Sequence, residues 1–311
     1  MAIPLLVIAG PTGVGKTATA VALARRVPLE VVSADSRQIY RFMDVATAKP
    51  TPEERQAVRH HLLDVADPDE PYHAARFQAE ARAAIAAIHA RGRLPVVVGG
   101  TGFYIRALLR GLDPAPPADP EFRLALERWA ARHGRAALHA RLAEVAPRTA
   151  ARLHPHDTVR VIRALERLRA GGPEELVSWR RVESDDYRVL YVGLTQERAR
   201  LRRRLAERAA EMVARGLRRE VAELLARGYH PDLPALRGIG YRHFVAVVQG
   251  RLGAEDALQR MQRDTVRYAK RQWTWFAREP GLQWLDLDLA GGPDGAAALI
   301  ERQLCRRGLI A

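Results

Sequence analysis

At 311 residues the chain has room for one large or two modest domains, and its 48% hydrophobic content suffices for a core. No apolar run approaches a membrane span, and the single cysteine, Cys305, excludes internal disulfides and any cysteine-rich zinc site. The formal net charge of +14 favours a polyanionic partner by its field alone, with a solvated basic surface as the plainer alternative.

Residues 5–9 are an apolar run that reads as a buried strand, and residues 16–26 carry apolar side chains at helical spacing. Nothing before that strand resembles a secretory signal, so a cytoplasmic protein is expected. Between strand and helix lies Gly10-Pro11-Thr12-Gly13-Val14-Gly15-Lys16-Thr17, which fits the phosphate-cradling pattern G-x-x-x-x-G-K-[ST]. Such a loop wraps backbone N–H groups, here those of residues 12–17, around phosphate oxygens at a helix N-terminus. Lys16 adds a point charge, and the Thr17 hydroxyl is the candidate ligand for a Mg²⁺ that bridges the phosphates. The loop reads a diphosphate and leaves open what hangs from it.

Residues 29–33 read as a second strand that runs into Ala34-Asp35-Ser36-Arg37-Gln38. Ligands in α/β sheets lie beyond the carboxyl ends of strands, so Asp35 falls on the rim of the phosphate loop. A turn at 49–52 and a short helix at 53–58 precede His60 and His61, whose adjacency argues against a shared metal. Residues 72–91 form an amphipathic helix closed by Gly92. A third strand at 94–98 enters Gly99-Gly100-Thr101-Gly102-Phe103-Tyr104, where the glycines allow close approach to a ligand or simply a tight turn.

The proline-rich stretch 113–120 breaks the alternation of strand and helix. Two helices divided at Gly134 fill 121–152, and a third at 158–169 ends before Gly171-Gly172-Pro173. A strand at 188–194 returns to the first sheet. The reading is an α/β core with a parallel sheet, 1–117 and 185–311, interrupted by an all-helical insertion at 118–184 with hinges near 117 and 184. Helix 197–215 is dense in arginine and reads as a solvated face with partners such as Arg203 and Glu207. Gly238-Ile239-Gly240-Tyr241-Arg242 is a loop before another helix. At 265–276, Arg267, Lys270 and Arg271 alternate with Tyr268, Trp273, Trp275 and Phe276, a basic edge suited to nucleic acid over an aromatic interior.

These segments together resemble the bacterial tRNA dimethylallyltransferases. The resemblance rests on Gly10–Thr17 and on Ser-Ala-Asp-Ser-Arg-Gln-Ile-Tyr at 33–40, Ala-Lys-Pro at 48–50 and His-His-Leu-Leu-Asp at 60–64. It continues through Gly-Gly-Thr-Gly-Phe-Tyr at 99–104, His-Pro-His-Asp with Arg-Val-Ile-Arg-Ala-Leu-Glu at 154–166, Ile-Gly-Tyr-Arg at 239–242 and Tyr-Ala-Lys-Arg-Gln-Trp-Thr-Trp-Phe at 268–276. Three positions depart from the family pattern: Phe103 replaces a usual leucine, Arg267 stands one place along, and His243 replaces an acid or amide. The resemblance implies a P-loop nucleoside-triphosphate-hydrolase-like core, a helical insertion that grips the anticodon stem-loop, and C-terminal helices. It implies transfer of a dimethylallyl group from dimethylallyl diphosphate to N6 of the adenine 3′ of the anticodon; Mg²⁺ is expected from the phosphate loop, and a monomer is taken as the starting assumption.

The implied chemistry assigns roles. The phosphate loop stabilises a departing diphosphate, so no ATP is needed. Asp35 is the general base for the N6 proton, and Thr101 the second catalytic candidate. The adenine flips out of its stack, with Ser36 and Gln38 reading its edge and Thr101 steadying it. The implied tRNA contacts are Asp35, Ser36, Arg37, Gln38, Thr101 and Arg123. They extend to Val159, Arg160, Val161, Ile162 and Arg163 in the insertion, and to Arg237, Gly238, Ile239, Gly240, Tyr241 and Arg242. A P-loop small-molecule kinase, a non-catalytic RNA-binding protein and prenyl transfer to free AMP are the alternatives.

Overall fold

The computed structural model describes residues 2–112, 116, 118–172 and 185–310. Backbone packing divides the chain into two units, Met1–Gly111 with Ser184–Ala311, and Leu112–Glu183. The hinges expected near 117 and 184 lie outside the described residues.

The first unit begins with β1 (Ile3–Ala9), α1 (Lys16–Ala24), β2 (Leu29–Ser33), α2 (Pro52–Ala57) and β3 (His60–His61). It continues with α3 (Ala74–Ala90), β4 (Leu94–Gly99) and α4 (Gly102–Arg110). The second unit holds α5 (Pro120–His133), α6 (Arg135–Val145), α7 (Pro147–Ala150) and α8 (Thr158–Arg169). The first resumes with β5 (Tyr187–Thr195), α9 (Arg198–Ala214), α10 (Leu217–Ala226), α11 (Tyr241–Val248), α12 (Ala254–Phe276), β6 (Gln283–Asp286) and α13 (Gly292–Arg306).

The six strands form one parallel sheet in the order β3-β2-β4-β1-β5-β6. Parallel strands covered on both faces need near-continuous apolar sequence, which β1 and β4 supply, while β2 departs at Glu30, whose buried carboxylate is paired with Arg91 and His61. Val7 pairs with Val97 on one side and Tyr191 on the other, so β5 returns beside β1 as expected. The strand order reverses around β1, and the crevice at its carboxyl end is where the phosphate loop lies. Strand β6 was not expected, and α12 begins eleven residues before the expected 265.

One core lies between the sheet, α1 and α13, with Leu6, Ile8, Leu23 and Ile300 sealed inside. A second joins residues 39–43 to α9–α12 through Met43, Leu217, Tyr241 and Phe244. The segment between β2 and β3 wraps the buried ammonium of Lys49, which donates to the Tyr40 carbonyl, to Asp44 and to Asp64. Ala48 and Asp64, on either side of that charge, take left-handed backbone angles of 49° and 57°. The Ala-Lys-Pro and His-His-Leu-Leu-Asp segments are thus two halves of one ionic staple.

The helical unit has its own core around Leu126, Leu138, Leu142, Val161 and Ile162. Asp119 caps α5 by accepting the Phe122 N–H, with Pro120 at the first helical position. Glu166 is buried and accepts from Arg123, Arg163 and the Asp119 N–H. Burial pushes its carboxyl up, but those bonds outweigh burial and hold it down to about 2.

Candidate active site

The phosphate loop is shaped by backbone that only glycine adopts easily. Gly10 has φ of 141°, and a Cβ there would lie 2.5 Å from the Leu194 carbonyl oxygen. Gly13, at φ 76°, faces Leu205 of α9, so the arginine-rich helix lies against the loop. The expected N–H cradle of residues 12–17 is narrower than the sequence indicates. The Thr12 N–H donates to Gln272 Oε1 at 2.8 Å, and the Val14 N–H points back to the Pro11 carbonyl at 3.4 Å. What faces a ligand is Gly13, Gly15 and the first-turn N–H groups of Lys16 and Thr17, which have no intrahelical acceptor.

Lys16 Nζ donates to the Gly10 and Pro11 carbonyls at 3.0 and 2.8 Å. Burial of the ammonium pulls it down to about 8, the Asp35 carboxylate opposes this, and the Arg208 guanidinium adds to it. The loop opens into a cavity of about 500 Å³ lined by Gly13, Gly15, Lys16, Thr17, Arg204 and Arg208. A second cavity of about 280 Å³ is lined by Ser36, Arg37, Arg237, Arg242, Tyr268 and Arg271. Six residues line both: Thr12, Asp35, Thr47, Ala48, Arg208 and Met212.

Asp35 is therefore on the wall between the chamber at the phosphate loop and a basic chamber with an aromatic side. Its Oδ1 accepts the N–H of Arg37 at 2.8 Å and of Gln38 at 3.4 Å, a turn that fixes the carboxylate just beyond β2. Thr101 lines neither cavity; its Oγ1 accepts the Ser36 N–H at 3.0 Å, and its side chain hydrogen-bonds with Tyr268. It braces the Asp35–Ser36 segment from behind. Burial, then the Asp35 charge, raise the Tyr268 hydroxyl to about 12, so it stays a donor at neutral pH. Gln38 donates to the Thr47 and Ala48 carbonyls and accepts from Ser33, so its amide secures the cavity wall and is not free to read a base edge.

Around the second cavity, Arg37 donates to the Pro234 carbonyl and Arg242 pairs with Asp264 at 2.6 Å. Gly238 and Ile239 line the chamber, whereas Gly240 does not, and Tyr241 is buried with its hydroxyl on Glu220 at 2.6 Å. His243 accepts the Gly240 N–H on Nδ1 and meets Asp264 through Nε2 at 3.1 Å, so its ring does the reciprocal capping that an acid or amide would do. Arg267 lies 3.6 Å from the same Asp264. In the helical unit, Val161 and Ile162 belong to the core and present no side chain to a ligand, whereas Val159 and Arg160 are exposed. Arg123 and Arg163 are half-buried on Glu166.

Arg204 and Arg208, four apart on α9 and read from the sequence as part of a solvated face, both line the cavity at the phosphate loop, Arg208 half-buried and Arg204 still exposed. Arg208 makes no ion pair among the described residues, and burial, then Arg204, lowers its proton affinity. The signal lay in the spacing of Leu201 and Leu205, which places 204 and 208 beside the loop-facing edge.

The chain matches the IPP transferase family over residues 38–279. It is 48% identical over 303 residues to a tRNA dimethylallyltransferase of Thermomicrobium roseum, covering 97% of this chain and 92% of that one. It is 52% identical over 283 residues to one from Anaeromyxobacter dehalogenans, covering 90% and 94%. Among solved structures, the full-length tRNA isopentenylpyrophosphate transferase of Bacillus halodurans aligns over 98% of both chains, with 39% identity and a TM-score of 0.72. A eukaryotic dimethylallyltransferase acting on tRNA aligns over 92% of this chain and 74% of its own, with 28% identity and a TM-score of 0.77.

Proposed function

The chain belongs to the IPP transferase family, and we infer from this that it is a prenyltransferase that moves a dimethylallyl group from dimethylallyl diphosphate to tRNA. The acceptor is N6 of the adenine 3′-adjacent to the anticodon, and the products are N6-isopentenyladenosine and diphosphate. The observation that carries this reading is the wall shared by two cavities, one built for phosphates and one basic and aromatic, with Asp35 in it.

The diphosphate lies along Gly13 and Gly15–Thr17 with Lys16, Arg204 and Arg208 around it. These groups are fixed in place before charge develops on the leaving oxygens, so they lower the barrier to breaking the allylic C–O bond. The described residues contain no cluster of three acidic, histidine or cysteine ligands for a metal. As a single protein ligand beside the cavity, the Thr17 hydroxyl fits Mg²⁺ that would arrive with the diphosphate and keep its other ligands from phosphate and water. Bound there, it would add charge neutralisation on the diphosphate.

The unstacked adenine enters the second cavity, with Tyr268 and the arginines about it. As N6 bonds to the allylic carbon it becomes cationic, and Asp35 takes its proton. Arg37, Arg237 and Arg242 meet flanking phosphates, and the helical unit takes the stem-loop through Arg160 and its neighbours. The working form is taken to be a monomer, and no helix among the described residues is long and apolar enough to cross a membrane. A cytoplasmic location follows from the substrate.

The test is incubation of an anticodon stem-loop with dimethylallyl diphosphate, followed by mass spectrometry. A gain of one C5H8 unit on the adenine supports the reading. An unmodified RNA, or label transferred from ATP instead, refutes it and favours the kinase alternative.

A further inference from the structure

Gln272 is a glutamine of α12 that the mechanism above leaves unused, although it is buried at 6% exposure against the active site. Its single amide spans two backbone segments. Oε1 accepts the Thr12 N–H of the phosphate loop at 2.8 Å, and Nε2 donates to the Gly100 carbonyl of the β4–α4 turn at 2.9 Å. The fit depends on the glycine, because a Cβ on residue 100 would lie 2.2 Å from Gln272 Nε2. The next residue, Thr101, accepts the Ser36 N–H, and Asp35 adjoins Ser36. One turn earlier on α12, Tyr268 hydrogen-bonds with the same Thr101. A continuous chain of bonds therefore runs from the diphosphate cradle, through Gln272, to the segment that carries the base.

We propose that Gln272 is a positioning residue for the transfer: its amide holds the phosphate loop in register with the Asp35–Ser36 segment, so that the allylic carbon meets the acceptor nitrogen and not water. The proposal rests on the prenyl-transfer reading above. An allylic diphosphate whose C–O bond ionises in a slack site has an alternative fate. A water oxygen bonds to the allylic carbon, its proton passes to solvent, and the products are a prenyl alcohol and diphosphate. Misplacement by about 1 Å costs as much as 100-fold in rate, and it penalises the ordered reaction more than capture by mobile water.

The experiment measures single-turnover formation of prenylated stem-loop RNA and of prenyl alcohol by wild type, Gln272→Met and Gly100→Ala. Gln272→Met keeps length and loses both bonds; Gly100→Ala pushes the same amide aside from the other end, so the test survives if the first variant misfolds. The expected result is transfer slowed about 10–100-fold, an alcohol-to-RNA product ratio raised at least about fivefold, and stem-loop affinity within about twofold of wild type. Gln272→Glu keeps the acceptor for Thr12 but sets a second acceptor oxygen against the Gly100 carbonyl, and it shows the same slowed transfer and raised product ratio. Transfer at the wild-type rate overturns the proposal. So does a loss of transfer that tracks the unfolded fraction with an unchanged product ratio, since that is a purely structural role. A wild-type enzyme that prenylates no RNA overturns the functional reading itself, whatever the variants do.

Discussion

Lys16 gives a pH dependence with a definite sign. In the free site burial holds its ammonium down to about 8, and a bound diphosphate restores it toward or beyond the ordinary 10.5. A group whose value rises on binding contributes fully below its free value and loses that contribution as pH climbs toward the bound value. Affinity should therefore be flat below pH 7, about twofold weaker at pH 8 and about tenfold weaker at pH 9. The ceiling, from about 8 to 10.5, is roughly 3.4 kcal/mol. The assay is calorimetric titration with a non-hydrolysable prenyl diphosphate analogue at constant Mg²⁺, in parallel with Lys16→Arg, whose guanidinium does not titrate in this range. The ligand's own ionisation is common to both proteins and cancels in the ratio. A wild-type curve parallel to that of Lys16→Arg would refute the argument.

Three further outcomes follow from the site and its supports. Asp35→Asn should cut turnover by about 10²–10⁴-fold while stem-loop affinity stays within about threefold, read from kcat and a binding titration; near-wild-type turnover would remove Asp35 from the proton transfer. Lys49→Met removes the buried ammonium that joins the Tyr40 carbonyl, Asp44 and Asp64 and should cost about 1–3 kcal/mol in urea unfolding, because that carbonyl is left unsatisfied while the two carboxylates still reach solvent and Asp64 keeps Arg55; no measurable loss would show that the staple is ornamental. RNA affinity should fall linearly in log–log terms with salt, and Arg237→Met should shallow the slope by about one counterion's share; an affinity unmoved by salt would exclude phosphate contacts there.

The phosphate loop, the β2 terminus and the helical interruption were legible because each has a local signature: glycine spacing, an apolar run ending in a polar cluster, and proline punctuation. Other features depend on which side of an element meets which neighbour. Arginines 204 and 208 belong to a run that is basic nearly all round, so only the docking of α9 on Gly13 decides that these two face the ligand. Val161, Ile162 and Tyr241 stand inside motif segments, yet their side chains face the core, and a motif's span does not separate binders from packers. Strand β6 escaped notice because it is four residues long with exposed or half-buried side chains. The pairing of Gln272 with a loop 260 residues away has no trace in local sequence.

The common wall between the 500 Å³ and 280 Å³ chambers has a pharmacological consequence. A bisubstrate inhibitor, with a phosphonate mimic tethered to a purine by a short aliphatic bridge, would span both chambers past Asp35 and Met212. Anchoring one end raises the effective concentration of the other into the millimolar range for a short flexible tether. Other P-loop proteins that hold only the phosphate half would gain nothing from the tether, so selectivity would come from the adjacency itself.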